Sequence, residues 1–310
     1  MTKSHSFLHN LIKPFKFGSS KEGSDEEELG RTASPRQKIF PYETLVAATK
    51  NFHSRHKLGE GGFGSVYKLD DGRRIAVKRL SQSSNQSQRI EKFMNEARLL
   101  ARVHHPNVVN LLGYCVHGTT KLLVYDYLPL GSLEKNSFES HVRKQLDWKR
   151  RFDIITGIAS GLLYLHKDSN IPIIHRNIKP RSILLDDNWM PKIANFDIAH
   201  LSYLFPEDQT HVTTRIMGTI GYIAPEYMKT GHLSVKADVF SYGVLMLELI
   251  TGRRHSPFRL EGDAHNNNNI LDWVRLNYPM LWLLCEGLGT GSLIFPFSAG
   301  FFICFTYLHR

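Results

Sequence analysis

The stretch from Ile174 to Asp197, IHRNIKPRSILLDDNWMPKIANFD, limits what this chain can fold into more than any other. A short basic loop, His175 to Lys179, runs into the apolar segment Ile183-Leu184-Leu185. A tight Asp186-Asp187-Asn188 turn follows, and a second segment, Pro191 to Ala194, ends in Asn195-Phe196-Asp197. Short apolar runs separated by turn-forming Asp and Asn predict a hairpin. Such a hairpin holds two polar tips side by side, one at 175–179 and one at 195–197.

Upstream, Leu58 to Lys78 carries Gly59, Gly61 and Gly64 in a G-x-G-x-x-G spacing. A dinucleotide site with that spacing opens a helix after its glycines. Here Ser65-Val66-Tyr67 continues as a strand, turns at Asp71-Gly72 and returns as Ile75-Ala76-Val77-Lys78. Two strands folded over a glycine turn make a flap whose backbone amides can lie close over phosphates. Ile90 to Val103 has Ile90, Phe93, Ala97 and Leu100 at helical spacing, with Glu96 beside that face. Leu122 to Leu128 reads as a strand leading into a linker. Trp148 to His166 is a long helix with Phe152, Ile155, Ala159, Leu162 and Leu165 as expected core and His166 as a packed histidine. Lys236 to Gly252 is apolar nearly all round, as a central buried helix should be.

These residues closely resemble protein kinases, whose hairpin pattern is H-R-D-x-K-x-x-N followed by D-F-G. The resemblance runs from Phe52 to about Arg254 with the landmarks in order, and is nearest to plant receptor-like kinases of the cysteine-rich kind in a cytoplasmic form. It implies an α+β fold of two lobes, a β-rich N-lobe and a helical C-lobe, the latter incomplete. It implies that ATP is held by Leu58, Gly59, Gly61, Gly64, Val66 and Ala76, with Lys78 on the phosphates and Glu96 as its ion-pair partner. Tyr125 would guard the back of the adenine pocket, with Asp126 to Leu128 offering backbone groups. Asp238 would brace the loop at His175, and Ala224-Pro225-Glu226 would close the activation segment, with Glu226 buried. Thr210, Thr213, Thr214 and Thr219 are candidate phosphorylation sites, since Arg176 is retained.

The chain departs from the pattern at four places. Asn177 stands at the proton-acceptor Asp, beside a retained Lys179. Ser182 and Asn195 stand at the two metal-binding positions, and Asp197 replaces the glycine after Phe196. An amide takes up no proton near neutral pH, and a neutral oxygen is a poor substitute for the anion that magnesium wants. Asp197 offers a carboxylate two residues late. Two expectations follow: a catalytically impaired, weakly ATP-binding module in signalling with doubtful magnesium binding, or a Ser/Thr kinase of low activity.

The expected organisation is a disordered tail over 1–38, a pre-kinase helix in 39–57 (Ile39 to Phe52), an N-lobe over 58–128, a partial C-lobe over 129–270 and a divergent apolar tail over 271–310. Leu288 to Leu308 has no charged residue and the length of a membrane span, but Gly289, Gly291, Pro296 and Gly300 make it a poor helix. A shortened reading frame is the preferred explanation. Lys and Arg total 39 against 29 Asp and Glu, yet no like-charge block marks a nucleic-acid arm. The partners implied are ATP and other signalling proteins or kinases, and no nucleic acid. Three cysteines, with no signal peptide, fit a reducing compartment and a cytoplasmic location. The start, with Leu8, Leu11, Ile12, Phe15 and Phe17 among lysines, is suited to peripheral contact with the plasma membrane.

Overall fold

The computed structural model describes residues 37–61, 64–69, 72, 74–80, 86–138, 146–201, 212–256 and 269–271. The expected tail before residue 37, the apolar tail after 271, Asp71 of the flap turn and Thr210 lie outside them. Chain order begins with β1 (Lys38–Ile39), α1 (Tyr42–Ala48), β2 (Lys57–Gly61), β3 (Gly64–Lys68), β4 (Ile75–Leu80) and α2 (Gln86–Leu100). It continues with β5 (Leu111–His117), β6 (Thr120–Asp126), β7 (Gly131–Ser132), α3 (Leu133–Phe138), α4 (Trp148–Leu163) and β8 (Ile173–Ile174). The last elements are β9 (Ile183–Leu185), β10 (Pro191–Ile193), β11 (His200–Leu201), β12 (Val212–Thr213), α5 (Pro225–Thr230), β13 (His232–Leu233) and α6 (Val235–Thr251).

Six strands form the small lobe in the order β1-β5-β6-β4-β3-β2. The central pair β4 and β6 is built from Val, Ile and Leu, which suit a pleated, buried surface; Val77, Leu122 and Val124 are fully buried. One side of the sheet is covered by Leu45, Ala48 and Phe52 of the segment before the flap. That segment is not a helix from Ile39 to Phe52 as its spacing predicts. Gln37 and Lys38, read as tail, belong to the ordered fold, and the helix is confined to Tyr42–Ala48. The reason is a parallel pairing of Lys38 with Gly113 and Ile39 with Tyr114. Gly113 permits it: a Cβ there would sit 1.8 Å from the Lys38 carbonyl oxygen.

The other side of the sheet packs on α2, and this core runs on into the large lobe through α4, the β9–β10 hairpin and α6. The α2 helix starts at Gln86, four residues before its expected start, because its polar first turn carries no apolar signal. It ends at Leu100 rather than Val103. In α4 the buried face is Ile154, Ile155, Ile158 and Leu162, continued by Leu165, while Phe152 and Ala159 are only half-buried. The face is thus rotated from the expected one, toward Pro191 and Asn107, against which Gly157 and Gly161 pack without room for a Cβ. The β9–β10 hairpin forms as expected, with Ile183 opposite Ile193 and Leu185 opposite Pro191. Glu226 is partly exposed, not buried. Among the described residues no helix is long and apolar enough to cross a membrane.

Glu248, deep on α6, accepts hydrogen bonds from the Tyr222 hydroxyl at 2.8 Å and the His255 amide at 2.7 Å. Burial outweighs both bonds and pushes its carboxyl up to about 7. The folded state therefore holds this proton more tightly than the unfolded chain. The stability it contributes is full below about pH 4.5 and declines as pH rises toward 7, by about 2–3 kcal/mol. Thermal melts of wild type and Glu248→Gln across pH 5 to 8 test this. The difference between the two should shift steadily in favour of the variant as pH rises, and a pH-independent difference would refute the assignment.

Candidate active site

The described flap residues Gly59, Gly61 and Gly64 differ in what surrounds them. Gly61 pairs with Gly64 at the tip of β2 and β3. At Gly64 a Cβ would lie 2.1 Å from the Arg79 carbonyl oxygen, so this glycine serves the packing of β3 on β4. Around Gly59 nothing lies within 4 Å of where a Cβ would stand. Val66 is opposite Lys78 in the β3–β4 ladder, Ala76 is opposite Tyr125 in the β4–β6 ladder, and Leu58 is exposed beside the flap.

Lys78 and Glu96 form the expected ion pair, Nζ to Oε2 at 2.5 Å, with Glu96 only 3% exposed. Burial works against the Lys78 charge; Glu96, and Asp197 behind it, outweigh burial and hold its pKa above the ordinary value. The Tyr125 hydroxyl donates to the second oxygen of Glu96 at 2.8 Å. Both carboxylate oxygens are thereby satisfied, which a buried charge requires. Beyond Tyr125, the Asn110 amide donates to the Asp126 carboxylate at 3.0 Å. The Tyr127 amide donates to the Arg74 carbonyl, and the Leu128 carbonyl accepts from the Gly131 amide. Those two groups of the linker are committed to holding it in place.

The two tips of the hairpin meet as their sequence predicts. Asp238, at the start of α6 and fully buried, accepts from the His175 and Arg176 amides, both at 2.7 Å. His166 Nε2 lies 2.9 Å from the same carboxylate. Burial opposes the charge, but these partners prevail and hold Asp238 below the ordinary carboxylate range. His175 accepts from the Asn177 amide on Nδ1 and donates through Nε2 to the Ala194 carbonyl at 2.9 Å, which ties one tip to the other. Burial keeps this ring neutral by lowering its pKa. Lys179 donates to the Thr219 hydroxyl at 2.7 Å, and that hydroxyl donates to the Asn177 side-chain oxygen at 2.9 Å. Thr219, a candidate phosphorylation site by its place in the activation segment, is the hydroxyl that links these two side chains.

The substituted positions fall differently. Ser182 is fully buried, and its hydroxyl has no hydrogen-bond partner among the described residues. Asn195 has a φ of 67°, a left-handed conformation that Asn tolerates better than most residues. Asp197 is 5% exposed; burial raises its pKa, with Lys78 pulling the other way, and its Oδ2 has no hydrogen-bond partner among the described residues. It lines a small cavity with Lys78, Lys92, Phe93, Glu96, Leu80 and Leu123. The 195–199 backbone is anchored by Asn95 on α2, whose amide spreads over the carbonyls of Phe196, Asp197 and Ala199 at 2.9 to 3.3 Å. Sequence reading missed Asn95, the hydroxyl role of Tyr125 and the His166 contact. The only signal for Asn95 was a poor helix former inside an amphipathic helix.

A family model for protein tyrosine and serine/threonine kinases matches residues 52–280. The chain belongs to the protein kinase family. Its relatives in Arabidopsis thaliana include a G-type lectin S-receptor-like serine/threonine-protein kinase, 49% identical over 226 residues, which are 72% of this chain and 27% of that protein. Another is the serine/threonine-protein kinase PBL27, 43% identical over 279 residues, 89% of this chain and 53% of that one. A third is a cysteine-rich receptor-like protein kinase, 48% identical over 242 residues, 77% of this chain and 35% of the relative. The chain thus spans between about a quarter and about half the length of these proteins. It is a kinase domain of the plant receptor-like Ser/Thr type, with the two-lobed α+β fold of that family.

Replacing Asp238 by Asn puts an N–H where two amides and a histidine need an acceptor. Asp238→Asn should destabilise the domain by about 3 kcal/mol, since hydrogen bonds to a charged group are worth roughly 1.5–3 kcal/mol each. Urea unfolding measures this. A loss under about 1 kcal/mol would mean that the loop is held by something other than this carboxylate.

Proposed function

We propose that this chain is a nucleotide-binding kinase domain whose phosphotransfer is strongly impaired, and that it acts in signalling as a binding module. The observation that carries this reading is Asn177. Its side-chain oxygen sits in the Thr219–Lys179 network, so the loop keeps its shape while the group that should take the hydroxyl proton is an amide. Loss of general-base help is typically a 10²- to 10⁴-fold effect, about 2.7–5.5 kcal/mol.

The residues read as an ATP cleft fit nucleotide. Adenine would lie between Leu58, Val66 and Ala76 and the linker at Tyr125 to Leu128. The phosphates would lie under Gly59 and Gly61 beside Lys78, which Glu96 and Tyr125 hold in place. ATP supplies the γ-phosphoryl group in this family. The same residues do not fit magnesium well. Ser182 is buried, Asn195 is neutral, and Asp197 is drawn inward toward Lys78 and Lys92. The partners we infer are other signalling proteins or kinases, met in the cytoplasm near the plasma membrane. The second reading, a weak Ser/Thr kinase, is favoured by the intact Lys78–Glu96 pair and by the buried Asp197 carboxylate near it.

Phosphotransfer separates the two. Wild-type protein should incorporate no more phosphate than Lys78→Ala. The version with Asn177→Asp, Ser182→Asn, Asn195→Asp and Asp197→Gly should gain at least about 10²-fold, the low end of general-base effects. Clear wild-type incorporation that Lys78→Ala abolishes would establish the weak kinase.

Nucleotide binding is expected in the range of tens of micromolar or weaker, roughly −6 kcal/mol, and to change little between magnesium and EDTA. Titration of a fluorescent ATP analogue under both conditions checks this. Lys78→Ala should weaken binding in each, and tenfold tighter binding with magnesium would favour the kinase reading.

A further inference from the structure

Arg181 is exposed on the catalytic loop, one residue before Ser182. Its guanidinium donates to the main-chain carbonyl of Glu60 at 2.6 Å, so a large-lobe side chain reaches across the cleft to the flap. Glu60 lies between Gly59 and Gly61, at the end of the cleft that the phosphates would occupy. One bond to a neutral carbonyl leaves most of the guanidinium donors for another acceptor. Among the described residues neither Arg181 nor Lys179 has an ion-pair partner. Asn177, Ser182 and Asn195 on the two tips are neutral, while Glu134 and Asp197 act on Lys179 as anions, each less strongly than Arg181 acts on it as a cation. Burial, and next to it the charge of Arg181, lowers the pKa of Lys179, so the two cations sit close enough to repel each other. An anion between them would relieve that repulsion.

We propose that Arg181 and Lys179 together seat the terminal phosphate of a nucleoside triphosphate without a metal, Arg181 bringing the positive charge that a divalent cation would otherwise supply. The inference rests on the nucleotide-binding reading and adds Arg181 to its site. A guanidinium suits the role because its planar fork matches two phosphate oxygens at once. It can keep one donor on the Glu60 carbonyl and turn others to the phosphate, which would close the flap over the nucleotide. The consequence is a cleft that ranks nucleotides by their number of phosphates in the absence of magnesium.

The test is titration of the full chain with ATP and with ADP in EDTA, for wild type, Arg181→Gln and Arg181→Lys, alongside melts to show that each folds. Wild type should bind ATP about tenfold tighter than ADP, and Arg181→Gln should lower ATP to the ADP level while changing ADP by less than about twofold. Arg181→Lys should keep part of the preference. Equal wild-type affinities for ATP and ADP, or an ATP-to-ADP ratio untouched by Arg181→Gln, would overturn the inference and leave nucleotide binding standing. Equal weakening of both nucleotides would reduce Arg181 to a clasp on the flap, which also overturns it. Failure of wild type to bind either nucleotide would overturn the nucleotide-binding reading and this inference with it.

Discussion

The carboxylate of Asp238, buried at the start of the central helix, is the interaction on which the geometry of the cleft depends. It holds the amides of His175 and Arg176 from below, and the φ of 68° at Arg176 turns the chain outward from there. His175 then reaches the Ala194 carbonyl, so the second tip is located relative to the first. A buried charge is tolerated only where its lone pairs are filled, and here three N–H groups fill them. The loop conformation is thereby set by the large-lobe core rather than by the residues that would do chemistry. This explains how Asn177, Ser182, Asn195 and Asp197 could change while the frame remained.

A second buried carboxylate works in the same manner in the small lobe. Glu96 joins Lys78 on the sheet to Tyr125 at the linker, and ties α2 to both. Lys78 beside the flap, Glu96 on α2 and Tyr125 at the end of β6 are thus one hydrogen-bonded unit, packed on a core shared by both lobes. Asp197 enters the edge of this unit. In a position where the family has glycine, it brings a second negative charge close to Lys78 and an oxygen without a hydrogen-bond partner among the described residues. Charge has moved inward, from the rim of the cleft at 177 and 195 to its wall at 197. On the described loop from His175 to Arg181 the charged side chains are the cations Arg176, Lys179 and Arg181.

The order of the elements was legible from spacing and from turn residues. The β9–β10 hairpin, the glycine flap, the Lys78–Glu96 pair and the Asp238 brace could each be written down from the chain, because each depends on a local pattern or on a motif of fixed order. The sequence by itself also determined which side chains stand at 177 and 195, since a carboxylate that is absent from those positions is absent in any fold. Tertiary structure alone decided the rest. Whether Lys38 and Ile39 are tail or strand depends on an edge of β5 that Gly113 leaves open, more than 70 residues away. Which face of α4 is buried depends on where Pro191 and Asn107 press against Gly157 and Gly161. That Asp197 points to Lys78, that Asn95 holds the 195–199 backbone and that Arg181 reaches Glu60 are contacts between segments about 100 or more residues apart. Periodicity carries no record of such distances, because side-chain partners across the fold are set by packing and not by spacing along the chain.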